Sequence, residues 1–214
     1  MSDEYGGPPN AVIVELGRQL DSWRALLPEA IRWHDKDKFA DLASGTAVQD
    51  PNEHLLSADK GTVSTSYRSS IDILTAELRT RFYYARHMLY RPFVYKVLHF
   101  PELTSTDDGN FCVLAVQAAC LWPVFMTPAR DKQRLVPHMF TWTNSSIGVL
   151  LILRMIRVNE KLREVCEGRV SQHELDKTAA LILDWLEDIR QIDATAQWAW
   201  TVFEPMFEAR NAVR

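Results

Sequence analysis

An all-α fold, a single helical domain of about six to eight packed helices, is what the sequence predicts, on the strength of its apolar periodicity. Three observations predict it. Glycine is scarce, 8 in 214 residues. Alternating β-branched runs, the mark of half-buried strands, are few. Apolar residues recur at steps of three and four in one segment after another, which gathers them on one helical face. With 47% hydrophobic and 24% charged residues the chain has the balance of a globular protein, and its length suits one sizeable domain.

Residues 1–10 are acidic and rich in Gly and Pro, and are expected to form a disordered N-terminus ahead of a helical domain spanning 11–210. The first helix is expected from Ala11 to Leu27, with Val12, Leu16, Leu20, Trp23 and Leu27 inward. Pro28 ends it or opens a turn through Ala30 to Trp33. Residues 43–66, rich in Gly, Ser, Thr, Asp and Asn, read as a long loop. A helix from Ser69 to Tyr90 follows, with Ile71, Leu74, Leu78, Phe82, Ala85 and Leu89 as its seam and Pro92 as its stop.

Thr106 or Asp107 is the expected cap of the next helix, with Asp107 and Asp108 favoured by the dipole at its first turn. That helix runs through Phe111, Leu114, Ala115, Ala118 and Leu121 toward Pro123. His138 to Val158 is apolar nearly all round between Ile147 and Ile156, which predicts the most buried element. Ser171 and Glu174 form a capping-box pattern before a seam of Leu175, Ala179, Ile182, Leu186 and Ile189. A last aromatic helix carries Trp198, Trp200, Phe203 and Phe207. Trp198 and Trp200 cannot share one face, so one is expected at the surface.

Lys plus Arg number 24 and Asp plus Glu 28, a net charge of −4 that lacks the basic field of a nucleic-acid-binding domain. Cys112, Cys120 and Cys166 are too few for a disulfide framework and read as three buried thiols in a reducing compartment. The N-terminus has no positive start or apolar stretch of a signal peptide. Two uncharged stretches, Gly109–Ala129 and Leu135–Leu153, are interrupted by Gln117, Pro123 and Pro128 and by the polar run Thr141–Ser146. They read as buried helices, and no membrane association is expected.

The sequence offers no candidate for reactive chemistry. The three cysteines do not have zinc-site spacing, and the histidines at 34, 54, 87, 99, 138 and 173 form no HExxH or HxxxH pair. Asp35, Asp37 and Asp41 hint at a calcium loop, but Phe39 holds a ligand position and the required glycine is missing. Asp107-Asp108 hints at a diphosphate–Mg²⁺ site, but Phe111 stands where a further aspartate is needed. No G-x-S-x-G, Walker A or G-x-G-x-x-G pattern is present. No catalytic, cofactor-binding or metal-binding residue is therefore assigned, no cofactor is expected, and the chain reads as a non-enzyme.

Interaction chemistry is concentrated in residues 79–95, where Tyr83, Tyr84, His87, Tyr90, Phe93 and Tyr95 crowd with Arg79, Arg81, Arg86 and Arg91. Such residues serve interfaces and ligand pockets, and equally serve packing and snorkelling. Single-stranded nucleic acid also uses aromatics among basic residues, but the acidic balance of the chain opposes it.

The segment Glu77–Lys96, with Tyr90-Arg91-Pro92-Phe93 near its end, resembles the Arg/Tyr-rich helix in the regulatory domain of fungal zinc-cluster (Zn2Cys6) transcription factors. Further segments agree in order: Gln19–Pro28, Ala118–Pro123, Leu135–His138, Gly148–Met155, Leu162–Cys166 and Leu183–Leu186. The resemblance covers roughly Val12 to Arg210 and rests on this ordered series rather than on one diagnostic motif. It implies a non-catalytic, nuclear, transcription-regulatory domain whose partners are proteins of the transcription machinery or a small apolar effector. The six-cysteine cluster, its basic linker and the dimerising coiled coil of that family are missing, so the chain resembles a truncated or free-standing regulatory fragment without specific DNA binding. The alternative is a helical small-molecule-binding protein or cryptic enzyme with an apolar pocket.

Overall fold

The computed structural model describes residues 9–33, 70–121 and 139–208. Most of the 1–10 segment and the whole of the 43–66 loop lie outside the described residues. Seven α-helices and no strands are present among the described residues, so the chain is all-α. They are α1 (Asn10–Ala25), α2 (Ser70–His99), α3 (Thr106–Leu121), α4 (Met139–Val158), α5 (Glu160–Cys166), α6 (Gln172–Ile189) and α7 (Ala194–Glu208), with 3₁₀ turns at Glu29–Ile31 and Pro101–Leu103. None is long and apolar enough to cross a membrane. The helices α2 and α3 form a tightly packed hairpin; α1 lies on α2, while α4, α6 and α7 pack together and α5 joins both groups.

The inward face of α1 matches the expected seam only in part, at Leu20 and at Leu27 just beyond the helix end. Ile13 and Gly17 are buried and Leu20 packs against the core, whereas Val12, Leu16 and Trp23 are exposed. The decisive residue is Gly17, which the apolar count ignores: without a side chain it lets α2 come close. The helix end is closed by Arg32, whose guanidinium donates to the carbonyls of Leu27 (2.9 Å) and Ala25 (3.4 Å), groups that have no partner within the helix.

α2 runs through Pro92 rather than stopping before it. A proline inside a helix withholds one N–H and costs roughly 3 kcal/mol. Beyond it Phe93, Val94 and Val97 are all buried against the core. Burial of such side chains yields roughly 1.5–3 kcal/mol each, so the three together outweigh the defect. The expected seam is also displaced. Phe82 is buried, but Leu78 and Leu89 are half-buried and Ala85 is exposed, while Tyr83, His87 and Tyr90 point inward.

α3 is capped by Ser105, not by Thr106 or Asp107. The Ser105 hydroxyl accepts from the Asp108 N–H (3.2 Å), and Asp108 accepts in return from the Ser105 N–H (2.8 Å) and hydroxyl (2.7 Å). It is also the most enclosed helix, in place of α4: Cys112, Ala115, Val116, Ala118, Ala119 and Cys120 are all buried, and it touches α2, α4, α5 and α6. Small residues permit that closeness on every side. In α4 Leu151 is exposed, so one face of its apolar stretch reaches water.

α5 is short and was not foreseen as an element; the Asn159 side chain caps it by accepting from the Leu162 N–H at 2.8 Å. In α6 the seam Leu175, Ala179, Ile182, Leu186 and Ile189 is buried as expected. Ser171 stands at its N-cap, but its side chain makes no capping bond, so the expected capping box does not close. α7 is capped by Asp193, which accepts from the N–H groups of Thr195 (2.7 Å) and Ala196 (3.3 Å). Phe203 and Phe207 are buried, Trp200 lies under Arg190 at 3.9 Å, and Trp198 is the tryptophan left exposed.

Candidate functional site

The α1–α2–α3 junction encloses an open groove of about 590 Å³. α1 contributes Val14, Gly17, Arg18, Asp21, Ser22 and Ala25, α2 contributes Arg86 and Tyr90, and α3 contributes Phe111 and Leu114. Tyr90 forms much of the floor. Its ring stacks on Phe111 (centroids 5.6 Å apart, planes 11° from parallel), and its hydroxyl meets α1 at Gly17. Burial pushes the Tyr90 phenol up, so at neutral pH it is an uncharged hydrogen-bonding group.

The charges on the rim are internally paired. Arg86 donates to Asp21 at 2.6 Å and lies 5.9 Å from the centroids of both Phe82 and Tyr90. Arg18 donates to both carboxylate oxygens of Glu15 (2.8 and 2.7 Å), and these bonds bring the Glu15 carboxyl down to about 2. A groove with an apolar floor and a compensated polar rim suits an apolar or amphipathic ligand, or an amphipathic segment of another protein, better than a free anion.

Of the aromatic and arginine residues gathered at 79–95, Arg86 and Tyr90 reach this groove. Phe82, Tyr83 and Phe93 are core residues. His87 is buried, and its Nδ1 lies 3.1 Å from the Ala115 carbonyl. Burial lowers its pKa, so the ring is neutral and Nδ1–H donates. Tyr84 and Tyr95 are exposed at their edges, and Arg81 and Arg91 lie outside the groove. Asp107 is exposed, and Asp108 is committed to Ser105 and Lys96. Among the described residues no group of three His, Cys, Asp or Glu side chains is arranged to hold a metal ion.

The sequence assigns no site role to Gly17, Asp21, Phe111 or Leu114, although Phe111 and Leu114 lie on a predicted helix. Gly17 alone carried a signal, since a glycine inside a helical pattern costs about 1 kcal/mol against alanine and often marks a close approach. Gly17→Ala is therefore a sensitive probe. The new Cβ would overlap the Tyr90 hydroxyl oxygen and lie 3.4 Å from Cζ, while Phe111 restrains the ring. Overpacking of roughly 1–3 kcal/mol exceeds the gain of about 1 kcal/mol in helix propensity, so the variant loses about 1 kcal/mol. In a Tyr90→Phe background the overlap is gone and the same change is expected to stabilise. Urea unfolding of the four proteins checks the reversal of sign.

No family model matches the chain, and no curated protein or solved structure matches it either.

Proposed function

We propose that the chain is a non-catalytic, nuclear, transcription-regulatory domain related to those of fungal zinc-cluster transcription factors. The α1–α2–α3 groove is its point of contact with a protein of the transcription machinery or a small apolar effector. One observation carries this reading: Tyr90, in one of the ordered segments that carry the family resemblance, lines the groove. The net charge of −4 supports action without direct DNA contact.

The apolar floor equally favours the second reading, a helical small-molecule-binding protein or cryptic enzyme. The pairing of Arg86 with Asp21 and of Arg18 with Glu15 weighs toward binding rather than acid–base chemistry, because these groups already serve as partners to one another. To separate the readings, the chain is fused to an unrelated DNA-binding domain and assayed on a reporter. The expected result is a several-fold change in output relative to the DNA-binding domain alone, together with no gel shift of DNA by the unfused chain at physiological salt. Unchanged output, with a small apolar molecule retained by the folded chain, would favour the second reading.

A further inference from the structure

The solvent side of α2 is built differently from the side that meets α1 and α3. Between Leu78 and Phe100 the chain has four arginines and a lysine and no Asp or Glu, in a molecule whose net charge is −4. Arg86 and Lys96 turn to Asp21 and Asp108 on the neighbouring helices. Arg81 and Arg91 are exposed, and so are Tyr84, Met88 (42% exposed) and Tyr95 (52% exposed). Steps of three and four residues separate these five positions, so they form one strip along the helix, about 21 Å long. Tyr83, His87, Tyr90 and Val94 turn inward and are buried. At one end of the strip the Tyr95 ring rests against His99 (centroids 4.2 Å apart) and Phe100 (6.2 Å).

From this arrangement we infer that the Arg81–Tyr84–Met88–Arg91–Tyr95 strip is a docking surface for an acidic amphipathic helix of another protein. It goes beyond the groove, since none of the five residues lines it. Tyr84, Met88 and Tyr95 offer a narrow apolar ridge at helical spacing, which a partner helix with apolar residues at i, i+3 or i+4, and i+7 can pack along. Met88 near the centre supplies an adaptable thioether, and the two tyrosines supply large surfaces at little cost in side-chain order. Arg81 and Arg91 interleave with these, so carboxylates beside the partner's apolar stripe meet a guanidinium at two separate turns.

Charge decides between this occupant and the others. A second copy of the chain would set the strip against itself and bring Arg81 and Arg91 of both molecules into one interface, with no carboxylate between Leu78 and Phe100 of either to offset them. Nucleic acid draws most of its affinity from many phosphate contacts, and two exposed cations on a chain of net charge −4 supply few. An acidic helix satisfies both halves of the strip, the ridge by packing and the arginines by charge.

The test is a titration of the full chain, labelled at its methionine methyl groups, with a synthetic helical peptide whose leucines recur at steps of three and four among glutamates. The expected result is saturable binding in the micromolar range, with the Met88 methyl signal (assigned through Met88→Leu) shifting while those of Met155 and Met206 stay in place. Arg81→Glu with Arg91→Glu should weaken binding about tenfold at an unchanged melting temperature, and should take up a lysine-for-glutamate peptide that the wild type rejects. Ser22→Trp, which obstructs the groove, should leave the affinity for the acidic peptide unchanged, so the strip and the groove stand or fall separately. No saturable binding, equal binding of the lysine peptide by the wild type, or a Met88 methyl that does not move would overturn the inference. So would a Met88 shift produced by oligothymidylate at lower concentration than by the peptide, or by raising the protein concentration alone. The wild-type titration decides the matter even if the double variant folds poorly.

Discussion

Phe82→Ala is expected to destabilise the fold by about 4 kcal/mol, the middle of the range for removal of a buried aromatic ring. The side chain is 1% exposed. It stands at the centre of an aromatic cluster, edge-on to Trp33 (5.7 Å) and Tyr83 (5.1 Å) and stacked with Trp23 (6.3 Å). Arg24 and Arg86 lie above it at 5.3 and 5.9 Å. This cluster holds α1 and the segment after it on α2, because Arg24 also donates to the Trp33 carbonyl at 3.1 Å. Truncation therefore opens a cavity and loosens one wall of the groove at once. Urea unfolding by circular dichroism measures the loss, and Phe82→Leu, which refills most of the space, should cost roughly half as much.

Asp108→Ala should cost about 3 kcal/mol, because one carboxylate both caps α3 and ties it to α2. Asp108 is 1% exposed, and Lys96 donates to its Oδ2 at 2.8 Å alongside the two Ser105 donors. Burial opposes its ionisation, but the bonds from Lys96 and Ser105 outweigh it and hold the carboxyl below its ordinary value. A folded-state pKa lower than the unfolded one means that the unfolded chain binds more protons in that window. The stabilisation is therefore full above the unfolded carboxylate value of about 3.9 and is lost as pH falls from there through the folded one. Asp108→Asn keeps an acceptor oxygen but no charge, so its stability gap from wild type should narrow as pH falls below about 4. A gap independent of pH would remove Lys96 from the account.

What the sequence made legible follows from how local each cause is. α6 was read correctly down to its seam because Leu175 to Ile189 repeats one strong amphipathic pattern that needs no neighbour to interpret it. α1 is legible as a helix but its inward face only in part: Leu20 and Leu27 of the expected seam face the core, while Val12, Leu16 and Trp23 fit the spacing as well as Ile13 does and are exposed. What selects between the two faces is Gly17 against Tyr90, which lie 73 positions apart in the chain. By a sound local rule Pro92 is a stop, but burial of Phe93, Val94 and Val97 in the core outweighs it. Ser105 is not legible as the cap because its partner Asp108 fits the sequence equally well as a dipole residue, and the ion pair of Asp108 with Lys96 crosses between helices. The groove is a product of tertiary contact, and along the chain only Gly17 and the cluster holding Arg86 and Tyr90 point toward it.

Ser22→Trp tests most directly the proposal that the groove is the seat of regulation. Ser22 lines the groove from an exposed position on α1, so a bulky ring there obstructs the site without entering the core. In the fusion-reporter assay the variant is expected to lose most of the chain's effect on output while its melting temperature stays at the wild-type value. Full regulation by a variant that is folded to the same melting temperature would contradict the assignment of the groove.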